Sequence, residues 1–210
     1  MRRVRGALVS RCNVGARGDA GRRAEERRCD DAAMFFEDLS VYAYQAGGDT
    51  FFDLNDGMRF VSFQPTYRRL NIGWLEADHA WARGQVPEPF TDRLVAILGS
   101  QQVNQMMGLH ACDLCPAPLP DTHPWYEPRP GNLRASAGNG EIRVPGAQGT
   151  AYAAPYLVGH YVADHGYRPP QPFIDAVLAF DPYGPWTARF PGFRFPWVPD
   201  DAVLRHVDEE

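Results

Sequence analysis

The sequence predicts a single α+β domain with a small antiparallel sheet and three or four helices. A length of 210 residues fits one domain with a sizeable core. A composition of 44% hydrophobic and 22% charged residues is ordinary for a globular protein. Short strand patterns bounded by turn residues are interspersed with segments of helical periodicity, which favours a mixed fold.

The first half of the predicted domain is rich in strands. Residues 35–46 suit either a short helix or a strand. Residues 51–54 and 59–63 are apolar runs on either side of Asn55-Asp56-Gly57, a hairpin signal. Residues 68–75 then form a third predicted strand.

A helix is predicted between residues 90 and 98. Apolar side chains recur at i, i+4, i+7 and i+8, which places them on one helical face. They are Phe90, Leu94, Ile97 and Leu98. Gly99 supplies the stop.

The second half predicts a hairpin and two helices. After a Pro- and Gly-rich loop over residues 116–140, residues 141–144 and 151–154 pair about a turn. Pro155 suits the first position of a helix that runs to His165. Another helix begins at Pro169-Pro170, and a short last helix is expected after Pro199.

Two terminal segments differ from the rest of the chain. Residues 1–33 hold nine arginines against five acids and lack any periodicity. We expect them to be either a disordered basic arm or translated upstream sequence, with Met34 as the natural start. The predicted domain covers residues 34–180, and residues 181–210 form a tail rich in proline and aromatic residues.

Charge and residue usage exclude several function classes. All 21 basic residues are arginine, so catalysis by lysine is excluded. From residue 34 onward, the chain contains 12 arginines and 21 acidic residues, which gives a net charge of −9. This charge argues against nucleic-acid binding. No apolar run approaches the length of a membrane span and no signal-peptide pattern appears, so we expect a cytoplasmic protein with reduced cysteines.

The segment around residue 112 carries the densest potential chemistry. His110, Cys112 and Cys115 place three soft-metal ligands within six residues. A Cys-x-x-Cys loop lets two thiolates bind one tetrahedral zinc ion, and a nearby histidine supplies a third ligand. A redox dithiol and a pair of inert buried cysteines are the alternatives.

A fourth ligand has to come from a distant residue, and the helix that ends at His165 is the best source. His165 projects with the apolar stripe of that helix, so it suits either a ligand or a core histidine. His160 lies at the edge of the stripe, with Asp164 four residues later to orient its ring. We therefore predict a structural zinc site formed by His110, Cys112, Cys115 and His160, with His165 as the other choice.

Several motifs together resemble a known family. They include Phe36-Glu37-Asp38-Leu39, Leu70-Asn71-Ile72-Gly73-Trp74-Leu75, Gly108-x-His110-x-Cys112-x-x-Cys115, Glu141-Ile142-Arg143-Val144, and the run from Ala154-Pro155 through His160-Tyr161 and His165 to Pro169-Pro170. With these motifs the chain resembles a family of uncharacterised bacterial proteins that share a domain of unknown function. The resemblance implies that the His-Cys segment, His160 and His165 belong to one shared design, and it brings no established activity.

Three functions are consistent with these residues. The first is a zinc-stabilised protein that acts by binding a protein partner. The second is a metal-dependent hydrolase with an open zinc position near Glu141 or His79. The third is a thiol oxidoreductase that uses Cys112 and Cys115. These residues are compatible with an enzyme and with a binding protein, in any oligomeric state.

Overall fold

The fold is described from a computed structural model. It covers residues 35–45, 47–106, 110–115, 137–184, 189–190 and 192–207. All of these residues belong to one unit of the chain that spans residues 33–210. The predictions for residues 1–33 and for most of the loop at 116–140 lie outside the described residues. Small sheets combine with three helices in the described part, which confirms the predicted α+β class.

The first sheet has the order β1-β2-β8 and is antiparallel throughout. β1 (Asp49–Phe52) and β2 (Arg59–Phe63) form the predicted hairpin. β8 (Val203–His206) then pairs with the free edge of β2. The short last helix predicted after Pro199 is therefore wrong, because pairing with β2 holds these residues extended.

The second sheet has the order β3-β7-β6. β6 (Glu141–Pro145) and β7 (Thr150–Pro155) form the predicted antiparallel hairpin, whereas β3 (Arg68–Asn71) runs parallel to β7. β3 is shorter than predicted, and Gly73, two residues beyond its end, has a left-handed φ of 66°. Such a φ is incompatible with an extended strand.

The three helices are short. α1 (Glu88–Leu98) buries the four apolar residues predicted for its face and has Gly99 as its C-cap, as predicted. α2 (Val158–His165) begins three residues later than predicted, because Pro155 is the last residue of β7. α3 covers Gln171–Ala179. Among the residues that the structure describes, no helix is long and apolar enough to span a membrane.

Two large clusters of buried side chains form most of the described interior, and Tyr42, Trp74 and Ala153 form a smaller third one. The main core packs all three helices against β6 and β7, and it includes Cys112. The second core lies between β1, β2 and the C-terminal tail, which contributes Phe190, Phe193 and Phe195. Val103 links the two sheets, since it bridges to Phe51 of β1 and to Glu141 of β6. The packing of α2 in the main core fixes the helix that carries both candidate histidine ligands.

Candidate metal centre

Two cysteines and two histidines converge on one point. Cys112 and Cys115 lie in the turn that follows β4 (His110–Ala111), and His160 and His165 lie on α2. One ligand atom from each of these residues lies within 4.8 Å of all the others. Within the described ranges this is the only group of three or more such residues with that geometry. We call it the four-ligand group.

The separations within the group match a tetrahedral zinc site. Zn–S bonds of about 2.3 Å and Zn–N bonds of about 2.0–2.1 Å at tetrahedral angles give S···N edges of about 3.6 Å and an N···N edge of about 3.3 Å. The observed Sγ···Nε2 distances are 3.3 Å for Cys112 to His165, 3.3 Å for Cys115 to His160 and 3.6 Å for Cys115 to His165. The two Nε2 atoms are 3.0 Å apart. Each of these four edges agrees within a few tenths of an ångström, and the other two edges of the group lie within 4.8 Å.

The spacing of the two histidines explains how their rings meet. Residues five apart on an α-helix project about 140° from one another, whereas residues four apart lie on one face. His160 and His165 therefore reach the common point from two sides of α2. Their rings meet edge to face, with centroids 4.7 Å apart and an interplanar angle of 86°. This arrangement directs the Nε2 atom of each ring toward the other ring and toward the sulfurs.

Asp164 orients His160 as the sequence analysis expects. Its Oδ2 atom accepts a hydrogen bond of 2.9 Å from Nδ1 of His160, whose side chain is buried. A proton held on Nδ1 leaves the lone pair on Nε2, the atom that faces the sulfurs. A carboxylate in this role also raises the basicity of a ligating imidazole.

Burial favours the neutral forms of two members of the group. Burial, together with the neighbouring Cys115, raises the pKa of the Cys112 thiol to about 12 in the metal-free chain. Burial and the adjacent His160 lower the pKa of His165, which favours its neutral, ligating form. A thiolate at Cys112 therefore needs a compensating positive charge, and a divalent metal ion supplies it.

His110, a predicted ligand, is not one of the four. It lies in β4, where it pairs with Gly138 of β5 (Ala137–Gly138), and it is exposed. His165 takes part in its place. The sequence signal for His165 is its position on the apolar stripe of α2, a position that ordinary core histidines also occupy.

The residues considered for an open zinc position have other partners. Glu141 is buried, accepts a hydrogen bond of 2.7 Å from the Tyr42 hydroxyl and forms an ion pair of 2.6 Å with Arg143. His79 stacks on Phe35 with ring centroids 3.9 Å apart. Neither Glu141 nor His79 belongs to the four-ligand group.

A buried network of charges surrounds Arg143. The Arg143 side chain is fully buried and bridges Asp49 of β1 and Glu141 of β6, with N···O distances of 2.6 Å to each. Arg69 and Tyr67 also donate to Asp49. Both carboxylates of the network, Asp49 and Glu141, have cationic and hydroxyl partners. The network is therefore interpreted as a structural link between the two sheets.

Comparisons with known proteins place the chain in a family. Neither the curated proteins nor the solved structures give a match. A family model matches residues 34–178, which is more than half of the chain and includes all four members of the four-ligand group. The chain therefore belongs to the family described as "Domain of unknown function (DUF7919)".

Proposed function

We propose that the four-ligand group binds one zinc ion and that this ion stabilises the fold. The observation that carries the proposal is the set of four sulfur and nitrogen ligand atoms within 4.8 Å of one another. Four of the six separations are close to those of a tetrahedral zinc site. Two thiolates and two imidazoles in tetrahedral geometry are a ligand set that zinc favours. The ion would cross-link the Cys112–Cys115 turn to α2.

A structural role is favoured over a catalytic one. Catalytic zinc sites have three protein ligands and keep a position for water or substrate, whereas structural sites are closed by four. The four-ligand group supplies all four donors from the chain itself. The hydrolase alternative would need one of them to leave the metal, and no observation favours that.

A thiol oxidoreductase is also less favoured. Enzymes of that class use a thiolate with a lowered pKa. Burial acts in the opposite direction on Cys112. Both cysteines also point toward histidine Nε2 atoms, which is the arrangement of a metal site.

We further propose that the protein acts through its surface by binding a protein partner. A closed zinc site supplies no chemistry of its own, so a zinc-stabilised domain functions through what it presents to other molecules. The acidic charge of the chain after residue 33 favours a partner with a basic surface over a nucleic acid.

Metal analysis tests the zinc proposal. Purified protein should contain one zinc ion per chain by elemental mass spectrometry, and cobalt substitution should give the absorption of a tetrahedral thiolate site. Removing the ion with a chelator should lower the melting temperature, because binding free energy at a structural site is folding free energy.

A matched pair of cysteine variants sharpens the test. Cys112→Ser should lose the zinc and lower the melting temperature. Cys29→Ser, which changes a cysteine outside the four-ligand group, should do neither. Metal-free protein whose melting temperature is unaffected by Cys112→Ser would refute the proposed function. Chelated protein that stays folded but loses an activity would favour the hydrolase instead.

A further inference from the structure

The four ligands are divided between two parts of the chain. Both sulfurs come from the turn at residues 112–115, and both imidazoles come from α2. A chemical change confined to the two sulfurs would therefore remove every metal ligand from one side of the cross-link. Two histidines alone make a weak site, so such a change would release the ion.

The two sulfurs are close enough to react with each other and unequal in their exposure. They lie within 4.8 Å of one another on residues three apart. Cys112 is buried in the main core, whereas Cys115 is half-buried beside it. Asp113, between them, is exposed, so the turn itself lies at the surface. A small oxidant from solvent meets Cys115 first, and Cys112 is placed to attack the product.

We propose that Cys112 and Cys115 form a reversible disulfide when hydrogen peroxide is present, and that this modification expels the zinc ion. The inference rests on the proposed zinc site. It adds that zinc binding at this site is regulated by oxidation. It assigns the pair as a modification site whose co-reactant is a peroxide. It does not require the chain to turn over a substrate.

The chemistry balances in two steps. Sγ of Cys115 attacks one peroxide oxygen, so that an S–O bond forms, the O–O bond breaks and hydroxide leaves. Sγ of Cys112 then attacks Sγ of Cys115, forming the S–S bond and expelling the second hydroxide. The two thiolates lose two electrons and the peroxide gains them. Two protons from solvent convert the hydroxides to water, and the zinc ion leaves as Zn²⁺.

Loss of the ion would remove the cross-link between the turn and the α2 histidines. The contacts that remain include the packing of Cys112 in the main core, the two-residue pairing of β4 with β5 and a hydrogen bond of 3.0 Å from the Ala77 amide to Asp113. A disulfide within the turn keeps the turn closed on itself but does not connect it to α2. The oxidised protein should therefore differ from the zinc-bound protein in the mobility of residues 110–115.

The test uses the full-length chain with Cys12→Ser and Cys29→Ser, which leaves only Cys112 and Cys115 able to form a disulfide. The zinc-loaded protein is treated with hydrogen peroxide. Released zinc is followed with a chromophoric chelator, and the intact mass reports the disulfide as a loss of two hydrogen atoms. We expect one zinc ion released per disulfide formed, and full rebinding after a dithiol reductant and zinc are added.

The possible results of this experiment distinguish failure of the disulfide inference from failure of the proposed zinc site. Zinc retained while peroxide is consumed elsewhere overturns the inference and leaves the proposed function standing. Zinc lost with sulfinic acids in place of a disulfide also overturns it. Protein that contains no zinc before oxidant is added refutes the proposed function, and this inference with it. A reduced sample stripped by chelator serves as the control, because it separates the effect of losing zinc from the effect of the disulfide.

Discussion

Replacing Asp164 with asparagine tests the link between the helix and the metal. Asp164 accepts the hydrogen bond from Nδ1 of His160, and their side chains are 29% and 4% exposed respectively. Loss of such an outer carboxylate typically weakens metal affinity roughly 10–100-fold, which corresponds to about 1.4–2.7 kcal/mol. The Asp164→Asn side chain keeps an oxygen that can accept the bond, and position 164 is partly exposed to water. We therefore expect a loss of about 1–2 kcal/mol, near the lower end of that range.

Two measurements should give the same value. Competition with a chromophoric chelator measures zinc affinity, and denaturant unfolding at buffered, saturating zinc measures the free energy of unfolding. The two losses agree if zinc binds only the folded state. Asp175→Asn is the matched control. Asp175 lies on α3 and also accepts a hydrogen bond from a residue four positions earlier, Gln171, at a distance of 2.8 Å. It is not part of the four-ligand group. Equal zinc affinity in the two variants would refute the reasoning.

Three further predictions concern the ligands, the charge network and the core. His165→Asn should abolish stoichiometric zinc binding while His110→Asn retains it, as measured by elemental mass spectrometry; the reverse result would restore His110 as the ligand. Burial alone would raise the pKa of Asp49, but the adjacent Arg143 guanidinium outweighs it and holds that pKa below its ordinary value. The stability that Asp49 contributes is thus present above about pH 4 and is lost as the pH falls through its folded-state pKa. Acid unfolding followed by circular dichroism should be less steep in Asp49→Asn, and an unchanged profile would contradict this. Leu94→Ala should lower the free energy of unfolding by about 2–5 kcal/mol, because Leu94 is fully buried in the main core. A denaturant titration measures this loss. A loss below about 1 kcal/mol would contradict the tight packing of Leu94 in the core.

The elements that the sequence predicted well are those with local causes. The hairpin of β1 and β2 follows from a turn signal between two apolar runs, and the buried face of α1 follows from helical spacing. The hairpin of β6 and β7 has the same kind of origin. In each case the deciding residues lie within about fifteen positions of one another, so periodicity and turn chemistry are sufficient.

The elements that the sequence missed depend on distant partners. β8 is a strand because β2, about 140 residues earlier, offers it a free edge. The parallel pairing of β3 with β7 likewise joins segments about 80 residues apart. The buried position of Arg143 depends on Asp49, which belongs to another strand. The local sequence around these residues does not identify their distant partners.

The candidate metal centre also combines features with local causes and features that depend on distant residues. The sequence by itself determined the cysteine pair, because Cys-x-x-Cys is a local loop that can hold both sulfurs near one metal ion. It also identified α2 as the source of the distant ligand and Asp164 as the residue that orients His160. Only the tertiary structure shows which histidines lie beside the two sulfurs. Pairing of β4 with β5 leaves His110 exposed, and packing of α2 in the main core brings His160 and His165 together onto the two sulfurs. A ligand set assembled from two distant segments is fixed by how those segments pack, and packing is a property of the whole fold.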